Sequence, residues 1–311
     1  MVSRPAPPGR NPRKVFVIVF SFCLILFGRE SESFASLAES SVEQGGPQAA
    51  ERYVLPITPP LDQGDSDLCW VYATLSMLET NYLYRHPGSR ISLSRGALQR
   101  DSIADRFARL IRDERSPLED GGLAVEALAL IRQDGLVARG DFHHIVDSGP
   151  IYASIKRRLA RYRSSADKLR ALDRELEARL GHEPQITHLD GEVLSPGEMA
   201  EAVLGGHEWT EFDRSRDGLQ SWGPSHDPDA RSDTRVRYVG LGRMIDLIHR
   251  SLAHGKAVVA GSTDHALLIY GGDYRDGKPI SYLIKDSLAP YTYRPSAETI
   301  HRILNDVTVA R

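Results

Sequence analysis

The sequence predicts an α+β fold in which helices occupy the first half of the chain and strands the second. In several stretches before residue 181, apolar residues recur at three- and four-residue steps, the spacing of one helix face. After residue 255, short apolar runs alternate with glycine-containing turns, a pattern typical of antiparallel strands. The 311 residues, 41% of them hydrophobic, suffice for a well-buried core.

Three early helices are predicted, over residues 70–83, 95–112 and 123–134. Three polar residues at 65–67 precede the first helix and are suited to cap its first turn. Cys69 is therefore expected in the first turn of a mostly buried helix.

The later elements begin with an amphipathic helix or helical pair over residues 151–180. The chain is then polar and turn-rich until residue 235, where order resumes with a helix over residues 241–254. The predicted strands are residues 256–260, 265–270 and 281–285.

The predicted organisation has five parts. Residues 1–35 form a signal peptide, 36–52 a flexible mature N-terminus, 53–147 a helical lobe with the nucleophile, 148–235 a helical, charged insertion, and 236–311 a β-rich lobe.

The N-terminus indicates export. Four basic residues precede an apolar run at 15–27, and small residues follow at Ser33 and Ala35. This run is shorter than the roughly 20 residues of a spanning helix, so a periplasmic or secreted protein is expected. An uncleaved membrane anchor is the alternative.

Charge argues against a nucleic-acid partner. Removing residues 1–35 takes away five basic and two acidic residues, so the net charge of −3 becomes −6. A mildly acidic protein has no electrostatic attraction for phosphate backbones. No histidine pair has the spacing of a metal site such as His-Glu-X-X-His, and no cofactor is expected.

Cysteine usage singles out one residue. Cys23 lies inside the predicted signal peptide, so Cys69 is the only cysteine of the mature chain. Exported proteins usually pair their thiols, and a leftover cysteine is a candidate reactive group. Taken alone, Cys69 is better explained as an inert buried core thiol.

The late strands supply partners for this thiol. His265 begins the second predicted strand and Asp286 directly follows the third, so two adjacent strands would bring them side by side. Gln63 lies six residues before Cys69, where a loop would fold its carboxamide back towards the thiol. Each of these residues alone has an ordinary structural explanation.

Five stretches, taken in order, resemble the papain-like cysteine peptidases, whose wider circle includes bleomycin hydrolase. They are residues 57–64 with Cys69-Trp70, residues 91–94, Asp120-Gly121-Gly122, Asp264-His265-Ala266 and residues 284–287. The resemblance covers roughly residues 53–145 and 236–290.

The resemblance implies a two-lobed papain-like fold and a peptide or protein substrate. It implies Cys69 as nucleophile, His265 as base, Asp286 as orienting residue and Gln63 as oxyanion donor. Gly121, Gly122, Trp70 and Asp264 fall at substrate-binding positions, although Trp70 is most simply a core residue.

The sequence also departs from the family pattern. The family has the motif Cys-Gly-Ser-Cys before and at the nucleophile, and its first cysteine is replaced by Ser66 here. The family's orienting asparagine is replaced by Asp286, and the tryptophan that follows it by two residues is replaced by Leu288. His265 follows Cys69 by 196 residues, against about 130–150 in papain-like enzymes, which implies the insertion. A carboxylate can orient an imidazole, as in other nucleophile triads.

Three functions fit these observations. The first is an exported thiol peptidase, and the second is an impaired relative that binds peptides, suggested by Asp286 and Leu288. The third is a transglutaminase-like acyltransferase, which also uses Cys, His and Asp. The Gln63 stretch and the Gly121-Gly122 pair argue against the third.

Overall fold

The structure, a computed structural model, describes residues 50–116, 118, 121–214, 235–288 and 291–310. The predicted signal peptide, residues 1–35, and nearly all of the predicted flexible N-terminus lie outside the described residues. Helices dominate the first half of the described chain and strands the last part, so the α+β class is confirmed.

The elements are numbered in chain order. The helices are α1 (Cys69–Arg85), α2 (Arg95–Arg112), α3 (Ala124–Asp134), α4 (Ser148–Leu159), α5 (Ser165–Leu180), α6 (Pro196–Leu204), α7 (Leu241–Ala253) and α8 (Ala297–Ile303). The strands are β1 (Glu51–Val54), β2 (Thr187–Leu189), β3 (Glu192–Leu194), β4 (Trp209–Arg214), β5 (Arg235–Val239), β6 (Val258–Gly261), β7 (Ala266–Arg275), β8 (Lys278–Lys285), β9 (Thr292–Tyr293) and β10 (Asp306–Ala310).

Helix α1 lies at the centre of the main core. All its residues from Trp70 to Tyr82 are buried, the polar ones included. Two of these polar side chains are satisfied at 2.7 Å, where Thr74 donates to the Trp70 carbonyl and Asn81 accepts from the Ala257 amide. Contacts of α1 with β7 then place the start of the helix beside the sheet.

Among the described residues, the main sheet has the strand order β5-β4-β10-β6-β7-β8-β9, and β1 also pairs with β7. Strands β4 and β5 are parallel, and the other neighbours in this sheet are antiparallel. The antiparallel pairing of β7 with β8 brings the start of one strand next to the end of the other. The late strands are therefore antiparallel neighbours, as their alternation with turns predicted.

Residues 151–180 form a helical pair, α4 and α5, rather than one helix. The second helix of the pair restarts at Ser164, whose hydroxyl accepts the Asp167 amide as an N-cap at 3.1 Å. The pair packs on α2 in a core of its own. Its buried members are Ile103, Phe107, Ile111, Ile151, Ile155, Leu159, Ala171, Leu172, Leu176 and Leu180.

The described residues 182–214 are more regular than their polar sequence suggests. They contain the hairpin β2–β3, helix α6 and strand β4. Strand β4 is buried because it pairs with β10, where Phe212 lies opposite Val307, a partner 95 residues away in the chain. Of the predicted insertion over residues 148–235, the described part is helical over α4 and α5 and then mixes strands with α6.

Within the described parts of the chain, no helix combines the length and the apolar character that crossing a bilayer requires.

Candidate active site

Cys69 is the first residue of α1 and is a half-buried free thiol. The predicted capping of this helix by Asp65, Ser66 or Asp67 is wrong, because Leu68 occupies the N-cap and makes no side-chain cap bond. The Ser66 hydroxyl instead donates to the Gln63 carbonyl at 2.6 Å and closes the preceding loop. No capping side chain therefore comes between the first helical N–H groups and the thiol.

His265 and Asp286 meet because β7 and β8 are antiparallel neighbours. His265 precedes β7, Asp286 follows β8, and Leu268 lies opposite Lys285 in the register. The His265 Nε2 atom lies 2.8 Å from Asp286 Oδ1, and both side chains are nearly buried. The strand geometry inferred from the sequence thus brings these two residues together.

Cys69 also lies close enough to the His265 ring to raise its pKa, so the ring stands between the thiol and the carboxylate. Because Nε2 faces Asp286, the Nδ1 atom is left for Cys69. Burial lowers the pKa of His265, but the hydrogen bonds to Asp286 and Cys69, with the charges on both groups, outweigh burial and raise it to about 9. The imidazole is therefore positively charged at neutral pH.

Asp286 receives two further hydrogen bonds. The Leu288 amide donates to Oδ1 at 3.0 Å, and the Tyr293 hydroxyl donates to Oδ2 at 3.1 Å. Burial raises the pKa of Asp286, but His265, Leu288 and Tyr293 together lower it below its ordinary value. Both carboxylate oxygens are thus held in fixed directions.

Tyr293 is a site residue that the sequence patterns do not reveal. It lies on β9, where it pairs opposite Ile284, and this register aims its hydroxyl at Asp286. The only signal in the sequence is a tyrosine in an extended run seven residues after Asp286. Leu288 is 57% exposed, so its side chain does not take over the shielding role of the family's tryptophan.

Gln63 is anchored by the turn after β8. Its side-chain Oε1 accepts from the Ser287 hydroxyl at 2.7 Å, and its backbone N–H donates to the Ser287 carbonyl at 2.9 Å. Its Nε2 donates one hydrogen to the Ser66 carbonyl at 2.5 Å. A carboxamide has two such hydrogens, so one remains for a ligand.

Gly122, the second residue of the glycine pair, packs directly on Trp70, the residue after the nucleophile. A Cβ atom at Gly122 would lie 2.8 Å from two atoms of the Trp70 ring. This distance is too short for a side chain, so the close approach of the backbone to the ring requires glycine at position 122. Trp70 itself is 1% exposed, so its ring is a buried surface against which Gly122 packs. Asp264 is exposed, and its Oδ1 lies 3.4 Å from the Ser262 hydroxyl.

A buried charged network lies behind the site. Glu79 of α1 forms an ion pair with Arg95 of α2 and accepts the Leu93 amide at 2.8 Å. Lys285, the residue before Asp286, donates to the Thr58 hydroxyl at 2.8 Å, which in turn donates to Glu79 at 2.5 Å. Burial lowers the pKa of Lys285 to about 8, although Glu79 acts in the opposite direction. This network joins the nucleophile helix to the strand that carries Asp286.

Metal ligands are not assembled in the part of the chain that the structure describes, where no group of three or more His, Cys, Asp or Glu side chains is arranged to hold an ion.

Comparison with solved structures supports a papain-like fold. The structure of PepW from Lactobacillus rhamnosis HN001 aligns with a TM-score of 0.62 and 16% sequence identity, over 83% of this chain and 81% of PepW. The papain-like α+β fold that the motif order implied is confirmed. At this identity the likeness is one of fold.

Two further structures align with lower scores. Xylellain, a cysteine protease from Xylella fastidiosa, shares 12% identity over 85% of this chain and 87% of its own, with a TM-score of 0.44. Digestive procathepsin L 3 of Tenebrio molitor larval midgut shares 16% identity over 88% and 73%, with a TM-score of 0.38. Neither a family model nor a curated protein matches the sequence.

Proposed function

We propose that this protein is a thiol peptidase that hydrolyses peptide bonds through a thioester on Cys69. The observation that carries the proposal is the position of His265, which bonds Asp286 at 2.8 Å and lies close enough to Cys69 for the thiol to raise its pKa. A thiol, an imidazole and a carboxylate in this order supply a nucleophile, a general acid–base group and an orienting group.

The reacting pair in this proposal is a thiolate beside an imidazolium. The raised pKa of His265, about 9, keeps the ring protonated at neutral pH. The positive end of α1 and this imidazolium both stabilise negative charge on the Cys69 sulfur.

Acylation begins when the Cys69 sulfur attacks the carbonyl carbon of a peptide bond. The free Nε2 hydrogen of Gln63 and the Cys69 backbone N–H are the proposed donors to the oxyanion. His265 then gives its Nδ1 proton to the departing nitrogen, the C–N bond breaks, and a thioester remains.

Deacylation uses the same groups. The neutral His265 ring takes a proton from water, and the resulting hydroxide attacks the thioester carbonyl. The C–S bond breaks, the product leaves as a carboxylic acid, and the thiolate–imidazolium pair is restored. Asp286 holds the ring in one orientation through both steps and stabilises its positive charge.

An active rather than an impaired site is favoured by the fixed carboxylate. Asp286 stands where the family has asparagine. It bonds His265 at 2.8 Å and also accepts hydrogen bonds from Leu288 and Tyr293, so its position is fixed. Because the His265–Asp286 pair is held in this way, the leucine in place of the family's tryptophan is not enough to favour loss of activity.

The experiment that tests the proposal is labelling with an epoxysuccinyl thiol inhibitor, combined with a fluorogenic peptide library. We expect one adduct on Cys69 and hydrolysis that the inhibitor abolishes, both absent in Cys69→Ala. Folded protein that forms no adduct would contradict the nucleophile. An adduct without hydrolysis would indicate an impaired peptide-binding protein, and transfer to amines in preference to water would favour an acyltransferase.

We also propose that the protein is exported after removal of residues 1–35. The support is the basic, apolar and small-residue order of this segment. N-terminal sequencing of protein recovered outside the cytoplasm should find a start after Ala35 or Ala38. An intact N-terminus in the membrane fraction would instead favour an uncleaved anchor.

A further inference from the structure

Arg106, on α2, is a buried cation whose neighbour is the glycine pair. The residue is 3% exposed. Its Nη2 atom donates to the Gly121 carbonyl at 2.7 Å, and its Nε atom donates to the Ser102 hydroxyl at 3.0 Å. Because Ser102 lies one turn earlier on α2, the guanidinium is held in a fixed direction towards Gly121.

The same guanidinium contacts the residue next to the nucleophile. Its central carbon lies 5.8 Å from the centroid of the Trp70 ring, a cation–π distance. Trp70 follows Cys69 directly on α1. Arg106 therefore connects the glycine pair to the start of the nucleophile helix.

The fit around Gly122 leaves little room for displacement. A Cβ atom there would lie 2.8 Å from the Trp70 ring and 2.9 Å from Glu126 Oε2. The Leu123 amide donates to the same Glu126 oxygen at 3.4 Å. Burial raises the pKa of Glu126, and the charge of Arg106 acts in the opposite direction.

A glycine pair needs such an external anchor. Glycine is the residue with the greatest backbone freedom, and Gly121 has no side chain through which the segment could be held. Cys69 is a free thiol, and no second cysteine lies in the described part of the chain, so no disulfide fixes this region.

We infer that Arg106 is a positioning residue that sets where the Gly121–Gly122 backbone meets a bound peptide. The inference rests on the proposed function, together with the family resemblance, which puts Gly121 and Gly122 at substrate-binding positions. Arg106 acts through the glycine backbone and through Trp70, and it takes no part in the chemistry at Cys69. Its loss should therefore weaken peptide binding more than bond cleavage.

The kinetic test compares Arg106→Met and Arg106→Lys with the parent, and uses Arg112→Met, an exposed position on the same helix, as the matched control. We expect KM for peptides that span Gly122 to rise about tenfold in Arg106→Met, the size expected for loss of one charged hydrogen bond. Expected kcat stays within about twofold, because the interaction is made equally before and during reaction. Alkylation of Cys69 by iodoacetamide, which does not reach the glycine pair, should keep its parent rate.

A second measurement does not depend on catalysis. Hydrogen exchange should be faster at the amides of residues 121–123 in Arg106→Met, and to a smaller extent in Arg106→Lys, while the amides of α1 keep their protection. Unchanged exchange at residues 121–123, or a fall in kcat with KM unchanged, would overturn the inference. A parent protein that neither labels nor hydrolyses would contradict the proposed function, and hydrogen exchange would still decide whether Arg106 positions the segment. Arg106→Lys keeps the charge and serves if Arg106→Met does not fold.

Discussion

At the scale of single residues, Asp286 is the group on which the proposed chemistry depends most. Its carboxylate faces His265 at 2.8 Å, and its charge contributes to the pKa of about 9 for that histidine. An asparagine at this position would keep a hydrogen bond to the ring but not the negative charge. The identity of residue 286 should therefore be visible in the pH dependence of the reaction.

We predict that Asp286→Asn shifts the alkaline limb of kcat/KM to lower pH by about one pH unit or more. In the parent, His265 must be protonated to release the leaving amine, so activity should fall as pH rises through about 9. Without the carboxylate charge the pKa of His265 is lower, and protonated enzyme is lost earlier.

The matched control for this variant is Asp276→Asn, in the turn at the far end of β7 and β8. Asp276 has a positive φ of 52°, which asparagine also tolerates. Its pH profile should follow that of the parent. If the alkaline limb of kcat/KM stays at the same pH in Asp286→Asn, the negative charge of Asp286 does not control the titration of His265.

Tyr293 yields a second prediction at this scale. Tyr293→Phe removes the hydroxyl that donates to Asp286 Oδ2 at 3.1 Å and leaves the ring in place. We expect kcat to fall roughly fivefold, which corresponds to one hydrogen bond of about 1 kcal/mol. Tyr291→Phe, at a residue that is 51% exposed, is the control and should leave kcat unchanged. Equal activity of both variants would mean that Tyr293 does not position Asp286.

At the scale of elements, the buried network of Glu79, Arg95, Lys285 and Thr58 joins three elements and the segment before α1. Glu79 lies on α1, Arg95 on α2, and Lys285 at the end of β8. The Glu79 and Arg95 side chains are 1% and 2% exposed, so neither charge is solvated if its partner is removed. The relative position of Cys69 and Asp286 depends on these elements staying together.

We predict that Arg95→Ala lowers the free energy of unfolding by about 3–5 kcal/mol, because the buried Glu79 charge loses its nearest counter-charge and keeps only Lys285, at 3.9 Å. The comparison is Arg109→Ala, which breaks the more exposed pair with Asp105 on the same helix at 2.9 Å. That loss should be below about 1 kcal/mol. Urea unfolding measures both, and similar losses would show that burial of the Glu79–Arg95 pair has no special cost.

Elements also show why parts of the fold escaped prediction. Helix α2 runs over Arg95–Arg112, the predicted range, because its apolar face repeats clearly. Strand β4 was not predicted from the sequence, because its residues do not alternate between apolar and polar. They are buried because β4 pairs with β10, a distant strand. The start of α1 was located, but its predicted side-chain cap was wrong because Ser66 bonds the Gln63 carbonyl instead.

At the scale of the whole molecule, buried carboxylates link stability to pH. Asp306 on β10 lies opposite Asp213 on β4 and packs against the α-carbon of Gly261. Burial and the charge of Asp213 raise the pKa of Asp306 to about 7. Glu211, two residues before Asp213, is buried, and burial followed by the charge of Asp306 raises its pKa well above the ordinary value.

The sign of the effect follows from linkage. A carboxyl group with a folded-state pKa near 7 binds a proton that the unfolded chain has already lost above pH 4. Stability from this source is therefore fully present below about pH 4 and decreases as pH rises to about 7.

We predict that Asp306→Asn removes this loss. The variant and the parent should unfold at similar urea concentrations at pH 4.5, and the variant should be the more stable at pH 8. Urea midpoints measured at both pH values check this. A constant difference between the two proteins at both pH values would contradict a pKa of about 7 for Asp306.

The sequence by itself determined the class of fold, the position of Cys69 at a helix start and the pairing of His265 with Asp286. These follow from local periodicity and from the rule that adjacent antiparallel strands bring their ends together. The ordered motifs then predicted the papain-like fold, which the PepW alignment confirms.

Only the tertiary structure decided which groups support that site. Tyr293 and Ser287 bond Asp286 and Gln63, and Arg106 bonds Gly121. The physical reason is that these partners are isolated polar residues with no local pattern, selected by strand register and by the need to pair polar groups when they are buried. Their positions depend on packing between distant parts of the chain.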